Sequence, residues 1–133
     1  MTTHGRRLPV PTPESAPFWK ACRDGRFIVQ QCATCSSINW FPRRMCRVCS
    51  SDDLAWRDSI GHGTVYTFTV VHRAPSPGFP EIYVLALVDV DDGPRLMTHV
   101  VGCDPADVRV GMPVQVDFER LSDDISVPVF RPQ

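Results

Sequence analysis

The sequence predicts a mainly β protein: a short N-terminal helix, then a metal-stapled ribbon, then a small five-stranded barrel. Three observations carry this. Two Cys-x2-Cys knuckles, Cys32/Cys35 and Cys46/Cys49, are separated by ten residues. From Thr64 onward, runs of β-branched and aromatic residues alternate with turn-forming clusters. The chain spreads 13 prolines over 133 residues, which favours strands and loops over long helices. An apolar content of 43% supports a real core.

Residues 1–26 read as an arm followed by a helix. Pro9, Pro11 and Pro13 alternate, which forbids helix and fits an extended arm that lies along a partner or stays mobile. Ser15 stands where a helix cap belongs, Pro17 sits in the first turn where its missing N–H is not needed, and Gly25 marks the stop. Phe18 and Cys22 share a face, with Ala21 beside them and Trp19 off to one side. One reading docks both rings on the domain. The sharper one makes Phe18 and Trp19 a partner contact, because so short a helix cannot bury both on one face.

Residues 27–57 read as the ribbon. Phe27 to Gln31 is a strand leading into the first knuckle, and Leu54 to Ser59 leads out of the second. A Cys-x-x-Cys turn aims two sulfurs at one point, and the ribbon brings the second pair opposite. Cys32, Cys35, Cys46 and Cys49 are therefore expected to hold one structural zinc ion, with no open position for water. Two disulfides, or four scattered thiols, are the alternative, but nothing else in the chain points to an oxidising compartment. A rubredoxin-like iron site is disfavoured because Ser36 and Ser50 stand where iron knuckles commonly carry glycine. Trp40 and Phe41 are expected to cover the metal. Arg43, Arg44 and Arg47 sit close together on the loop between and within the knuckles. They read either as a solvated basic turn or as a grip on phosphates or carboxylates.

Residues 58–133 read as the barrel. Gly61 and Gly63 suit a sharp bend into a strand over Thr64–His72. A Pro- and Gly-rich loop, a strand over Ile82–Val90, the turn Asp91-Asp92-Gly93 and a strand over Arg95–Val101 follow. Val114, Val116 and Phe118 alternate with polar residues, and Val127 to Phe130 marks the last strand. Five strands with no helix between the first three suit a Greek-key barrel of the OB type.

No catalytic constellation stands out. His99 and Cys103 are four apart, about 13 Å on a strand, so a thiol–imidazole pair needs the chain to bend at Gly102. There is no phosphate-binding glycine loop and no nucleophile elbow. The polar, proline-bearing N-terminus does not read as a signal peptide, and no apolar run approaches the roughly 20 residues of a membrane span. A cytoplasmic protein with reduced thiols and no membrane partner is the expectation. Residues 1–57 carry a formal +5 and residues 58–133 a formal −6. A nucleic-acid-binding ribbon and barrel would have to work against its own acidic barrel, which argues against nucleic acid.

Several strings together resemble one family. They are the Phe18-Trp19 helix ending at Gly25, the two knuckles, Gly63 to His72, Tyr83 to Asp89, Gly93-Pro94-Arg95-Leu96, and Asp104 to Val116 with Gly111-Met112-Pro113. The family is the zinc-ribbon/OB-fold proteins catalogued as domain of unknown function thirty-five, and the likeness spans nearly the whole chain. It implies a small accessory subunit of a thiolase-like or lipid-transfer-protein-like acyl-CoA enzyme, either a thiolase or a retro-aldolase. Such a subunit stabilises the large one and helps form the acyl-CoA site. It implies no catalytic residue here. One departure is Ser59-Ile60-Gly61-His62-Gly63, which shifts a glycine relative to many relatives. On this reading Arg43, Arg44 and Arg47 contact coenzyme A phosphates through the complex. The alternatives are a nucleic-acid-binding module and a free-standing acyl-CoA-binding protein.

Overall fold

The computed structural model describes residues 6–133. Thr12 starts the helical segment: its carbonyl accepts the N–H groups of Ser15 (3.1 Å) and Ala16 (2.8 Å). Helix α1 spans Ala16–Arg23. Ser15 occupies the cap position, but its hydroxyl turns back to accept the Thr12 backbone N–H at 2.8 Å and caps no helical N–H. After the cap residue Asp24 the chain turns away at Gly25, whose φ of +78° is open to glycine at no steric cost. Phe18, Ala21 and Cys22 form its buried face, and Trp19 is half-buried.

The ribbon is a three-stranded antiparallel sheet with β1 (Ile28–Cys32) between β2 (Ile38–Asn39) and β3 (Leu54–Asp58). Two residues make β2, too few to leave a periodic signal in the sequence. The barrel follows: β4 (His62–Val71), β5 (Tyr83–Val90), β6 (Arg95–Val100), β7 (Pro113–Arg120) and β8 (Ser126–Pro132). It closes in the order β4-β5-β6-β8-β7, the five-stranded OB arrangement. A one-turn 3-10 helix at Pro105–Asp107 links β6 to β7, with the Asp104 carboxylate accepting the Ala106 N–H at 2.9 Å.

Closure is uneven. β5 pairs β6 over six positions and β7 pairs β8 over seven, whereas β6 and β8 run parallel and share one pair, Val100 with Phe130. Both predicted glycines matter where β4 begins. Gly61 has φ +73°, and a Cβ there would come within 2.3 Å of Val116 Cγ1. A Cβ on Gly63 would lie 2.5 Å from the Asp89 carbonyl oxygen. The departure from the family string therefore still yields the bend. Register slips between Val65 and Thr67, which leaves Tyr66 in a bulge on the surface.

The core runs through both modules. Val65, Val84, Val88, Val114 and Phe130 fill the barrel, and Phe18, Phe27 and Val29 continue the same cluster into helix and ribbon. Phe27 and Phe130 meet edge to face at 6.2 Å.

Candidate metal centre and ribbon face

The sulfurs of Cys32, Cys35, Cys46 and Cys49 all lie within 4.8 Å of one another. Cys32 to Cys49 and Cys35 to Cys46 are each 3.6 Å. A tetrahedron built on zinc–sulfur bonds of about 2.3 Å has edges of about 3.8 Å, so this cradle has the size zinc requires. The two knuckles fold alike. Ser36 N–H donates to the Cys32 carbonyl at 2.9 Å, and Ser50 N–H to the Cys46 carbonyl at 3.0 Å. Ser36 and Ser50 take φ of +66° and +64°, so serine adopts here the left-handed turn that glycine commonly fills.

Donors converge on the sulfurs. The Cys35 N–H reaches Cys32 Sγ at 3.5 Å, and the Val48 N–H reaches Cys46 Sγ at 3.4 Å. The buried Asn39 amide donates to Cys46 Sγ at 3.5 Å. That amide bond, with the neighbouring backbone N–H groups, pulls the Cys46 thiol down to about 6. Cys49 goes the other way. Although the Ser51 backbone N–H favours its thiolate, desolvation and the adjacent sulfurs push it up to about 12. Four thiolates this close repel unless a cation sits among them, which is what zinc supplies.

Two buried amides hold the loop between the knuckles, and neither was read from the sequence. Gln30 donates to the Arg43 carbonyl (3.0 Å) and accepts the Arg43 N–H (2.9 Å). Asn39 Oδ1 accepts the Arg47 N–H at 2.8 Å. The available signal was a Gln and an Asn embedded in otherwise apolar strand residues, since a buried amide must find partners.

Arg43, Arg44 and Arg47 are exposed on this loop, and among the described residues none forms an ion pair. Phe41, Met45 and Val48 are exposed beside them at 45%, 57% and 58%, so the ribbon face mixes cations with apolar side chains. Trp40 and Phe41, expected over the metal, also have a partner in the helix. Their rings pack on Phe18 at 5.2 and 6.1 Å. Phe18 itself is 1% exposed, so of the two helix rings it is a core residue, and only Trp19 keeps surface that another chain could touch.

The two cysteines outside the knuckles are held as thiols. Burial pushes the Cys22 thiol up to about 12. Cys103 is raised by desolvation and by Asp107 and Asp104. His99 packs against Tyr83 with ring centroids 4.6 Å apart and the planes tilted by 38°. No helix among the described residues is long and apolar enough to cross a membrane.

A rubredoxin-like four-cysteine ribbon joined to an OB barrel defines a class of protein. Residues 19–55 match the model of the ChsH2 rubredoxin-like zinc ribbon domain, and residues 56–119 that of the ChsH2 C-terminal OB-fold domain. The chain belongs to this ChsH2-type zinc-ribbon/OB-fold family, also described as DUF35. A probable enoyl-CoA hydratase alpha subunit of Thermomonospora curvata is 35% identical over 127 residues, 96% of this chain and 40% of that protein. A DUF35 domain-containing scaffold protein of Methanocaldococcus jannaschii is 32% identical over 71% of this chain and 68% of its own. The chain thus spans well under half of the hydratase relative. Among solved structures, a chain of an Ltp2-ChsH2(DUF35) aldolase superposes with a TM-score of 0.85 at 35% identity, covering 93% of this chain and 98% of that one. A Sulfolobus solfataricus DUF35 protein of unknown function shares the fold, with a TM-score of 0.64 at 14% identity.

Proposed function

We propose that this chain is a non-catalytic, zinc-held small subunit of an acyl-CoA enzyme, docked on a thiolase-like or lipid-transfer-protein-like large subunit. It stabilises that subunit and helps form its acyl-CoA site, working in the cytoplasm. The observation that carries the reading is the nearly end-to-end likeness to a chain of the Ltp2-ChsH2(DUF35) aldolase. Two further observations support it. Among the described residues neither Cys22 nor Cys103 hydrogen-bonds to a histidine or a carboxylate, and burial raises both thiols. The ribbon face offers three arginines without carboxylate partners beside exposed Phe41, Met45 and Val48.

In this reading Trp19 and the ribbon face meet the large subunit, with Phe18 supporting them from the core. Arg43, Arg44 and Arg47 hold the phosphates of coenzyme A, as guanidinium forks do. Zinc supplies rigidity: it fixes the knuckles so that the loop bearing the arginines keeps its shape.

The test is recovery of the tagged chain from its own cell extract, followed by acyl-CoA titration of the recovered complex. A thiolase-like subunit in fixed ratio is the expected outcome. The triple variant Arg43→Ala, Arg44→Ala, Arg47→Ala should weaken acyl-CoA binding of the complex on the order of tenfold or more. No acyl-CoA enzyme in the recovered material overturns the subunit reading. Unchanged acyl-CoA affinity in the triple variant overturns the phosphate role alone.

A further inference from the structure

Arg6 stands apart from the ribbon and from the function proposed above. Its side chain is 9% exposed, and a guanidinium keeps its charge at any ordinary pH. Burying it requires partners, and the barrel supplies them. Glu119 Oε2 on β7 lies 3.2 Å from the guanidinium. The ring of Phe79, in the loop between β4 and β5, lies under Arg6 Cζ at 4.5 Å. Phe79 stacks on Tyr83 at 5.5 Å with a 25° tilt. Both rings rest against His99 on β6, at 6.1 and 4.6 Å.

A π face on one side and a carboxylate on another is the environment a planar cation with in-plane N–H groups selects. His99 suits it, because burial and the Arg6 charge outweigh Glu119 and favour the neutral imidazole. The site therefore presents one carboxylate and no competing cation of its own.

Its parts come from one loop and three strands, whereas its occupant is a single residue of the arm. On its side toward β8, Arg6 and His99 also line an open cleft with Met97, Thr98 and Val127. The arm itself is lightly held. Leu8, Pro9 and Pro11 line an open groove with Trp19 and Ile125, and Val10 is 84% exposed. Between Arg6 and Thr12 the arm makes no hydrogen bond among the described residues.

We infer that Phe79, Tyr83, His99 and Glu119 form a guanidinium-binding site on the barrel, which the chain fills with its own Arg6 and which another arginine side chain takes when the arm lifts. The occupied site also fastens the loop between Val71 and Tyr83, because Phe79 is held between Arg6 and Tyr83.

The probe is N-acetyl-arginine amide, titrated into the full-length, zinc-loaded chain while the ring signals of His99 and Tyr83 are followed by NMR. The Arg6→Ala variant should show saturable shifts, with a dissociation constant on the order of millimolar. The unsubstituted chain should need roughly tenfold more probe, because Arg6 competes from a tethered position. Adding Glu119→Gln to Arg6→Ala should abolish the shifts, and N-acetyl-lysine amide should bind more weakly. Hydrogen exchange of residues 74–82 should rise on the order of tenfold in Arg6→Ala and fall again with probe. If Arg6→Ala does not fold, Arg6→Lys, which keeps the charge and loses the stacked fork, carries the same two readouts. Absence of saturable shifts, equal binding by the unsubstituted chain, or unchanged loop exchange each overturns the inference.

Discussion

Replacing Phe18 with alanine tests whether the helix, the ribbon and the barrel share one core. The ring is 1% exposed and meets four others: Trp19 at 5.1 Å, Trp40 at 5.2 Å, Phe41 at 6.1 Å and Phe27 at 6.5 Å. All four contacts are edge-to-face, with interplanar angles between 69° and 77°. Truncating a buried Phe to Ala removes about 3–5 kcal/mol, and the edge contacts and small scope for collapse place this site toward the upper end. Against a total stability of roughly 5–15 kcal/mol this is a third or more of what holds the chain folded. The assay is urea unfolding at fixed excess zinc, followed by tryptophan fluorescence, since Trp19 and Trp40 border the lesion. A slope of about 2 kcal/mol/M, reasonable for this size, converts the loss to a midpoint about 2 M lower. Phe18→Leu should recover about half of it. A midpoint shift corresponding to less than about 1 kcal/mol, with unchanged slope, would refute the reasoning and return Phe18 to the surface role first considered for it.

Other outcomes follow from the same geometry. Asn39→Ala removes an N–H donor from Cys46 and the anchor of the Arg47 N–H, so zinc affinity should fall about 10–100-fold in competition with a chromophoric chelator. Gly61→Ala meets both a positive φ and Val116 Cγ1 at 2.3 Å, and should destabilise the barrel by about 1–3 kcal/mol in the same urea assay. His99 is held below its ordinary value, chiefly by burial and then by Arg6, with Glu119 opposing. Its contribution to stability is therefore complete above the unfolded-state value near 6.5 and is lost as pH falls below it toward the folded value. Thermal unfolding from pH 7.5 to 5.5 should show that loss in the native chain and much less of it in His99→Gln.

The parts of this molecule that sequence reasoning reached are those set by neighbours along the chain. A Cys-x-x-Cys turn places its own two sulfurs, so the metal cradle was legible from spacing. Alternation in Val114–Phe118 and the β-branched run after Thr64 were legible because a strand writes its buried face in period two. What escaped was fixed by residues far away in sequence. Arg6 and Glu119 are 113 positions apart. The slip that puts Tyr66 on the surface depends on how β4 meets β5, and β2 exists only because β1 needs a partner beside Cys32. Trp40 and Phe41 follow the first knuckle in sequence, yet their rings pack on Phe18 of the helix, a contact that spacing along the chain does not announce.

Asp92 shows how a residue read as a turn former comes to do more. In the β5–β6 turn, its Oδ2 accepts the Ile60 N–H at 3.1 Å and lies 3.6 Å from Arg57 of β3, and its Oδ1 accepts the Ser59 hydroxyl. Desolvation works against ionising this carboxyl, but the Ser59 and Ile60 donors and the Arg57 charge outweigh it and hold it below the usual range. Arg57 also donates to the Asp92 carbonyl and, through Nε at 3.0 Å, to Gln31 of β1. The turn is thereby bolted to the ribbon at its rim while Phe27 and Phe130 join the two cores beneath. A junction closed by both core and rim leaves little freedom for ribbon and barrel to swing. With zinc bound, the front of the chain carries about +3 and the barrel −6 in fixed relative orientation. On the reading proposed above, a partner that grips the ribbon therefore also sets where the acidic barrel points. If the arginines hold acyl-CoA phosphates as proposed, the positive loop faces them, while the acidic barrel disfavours a long polyanion such as nucleic acid laid across both modules.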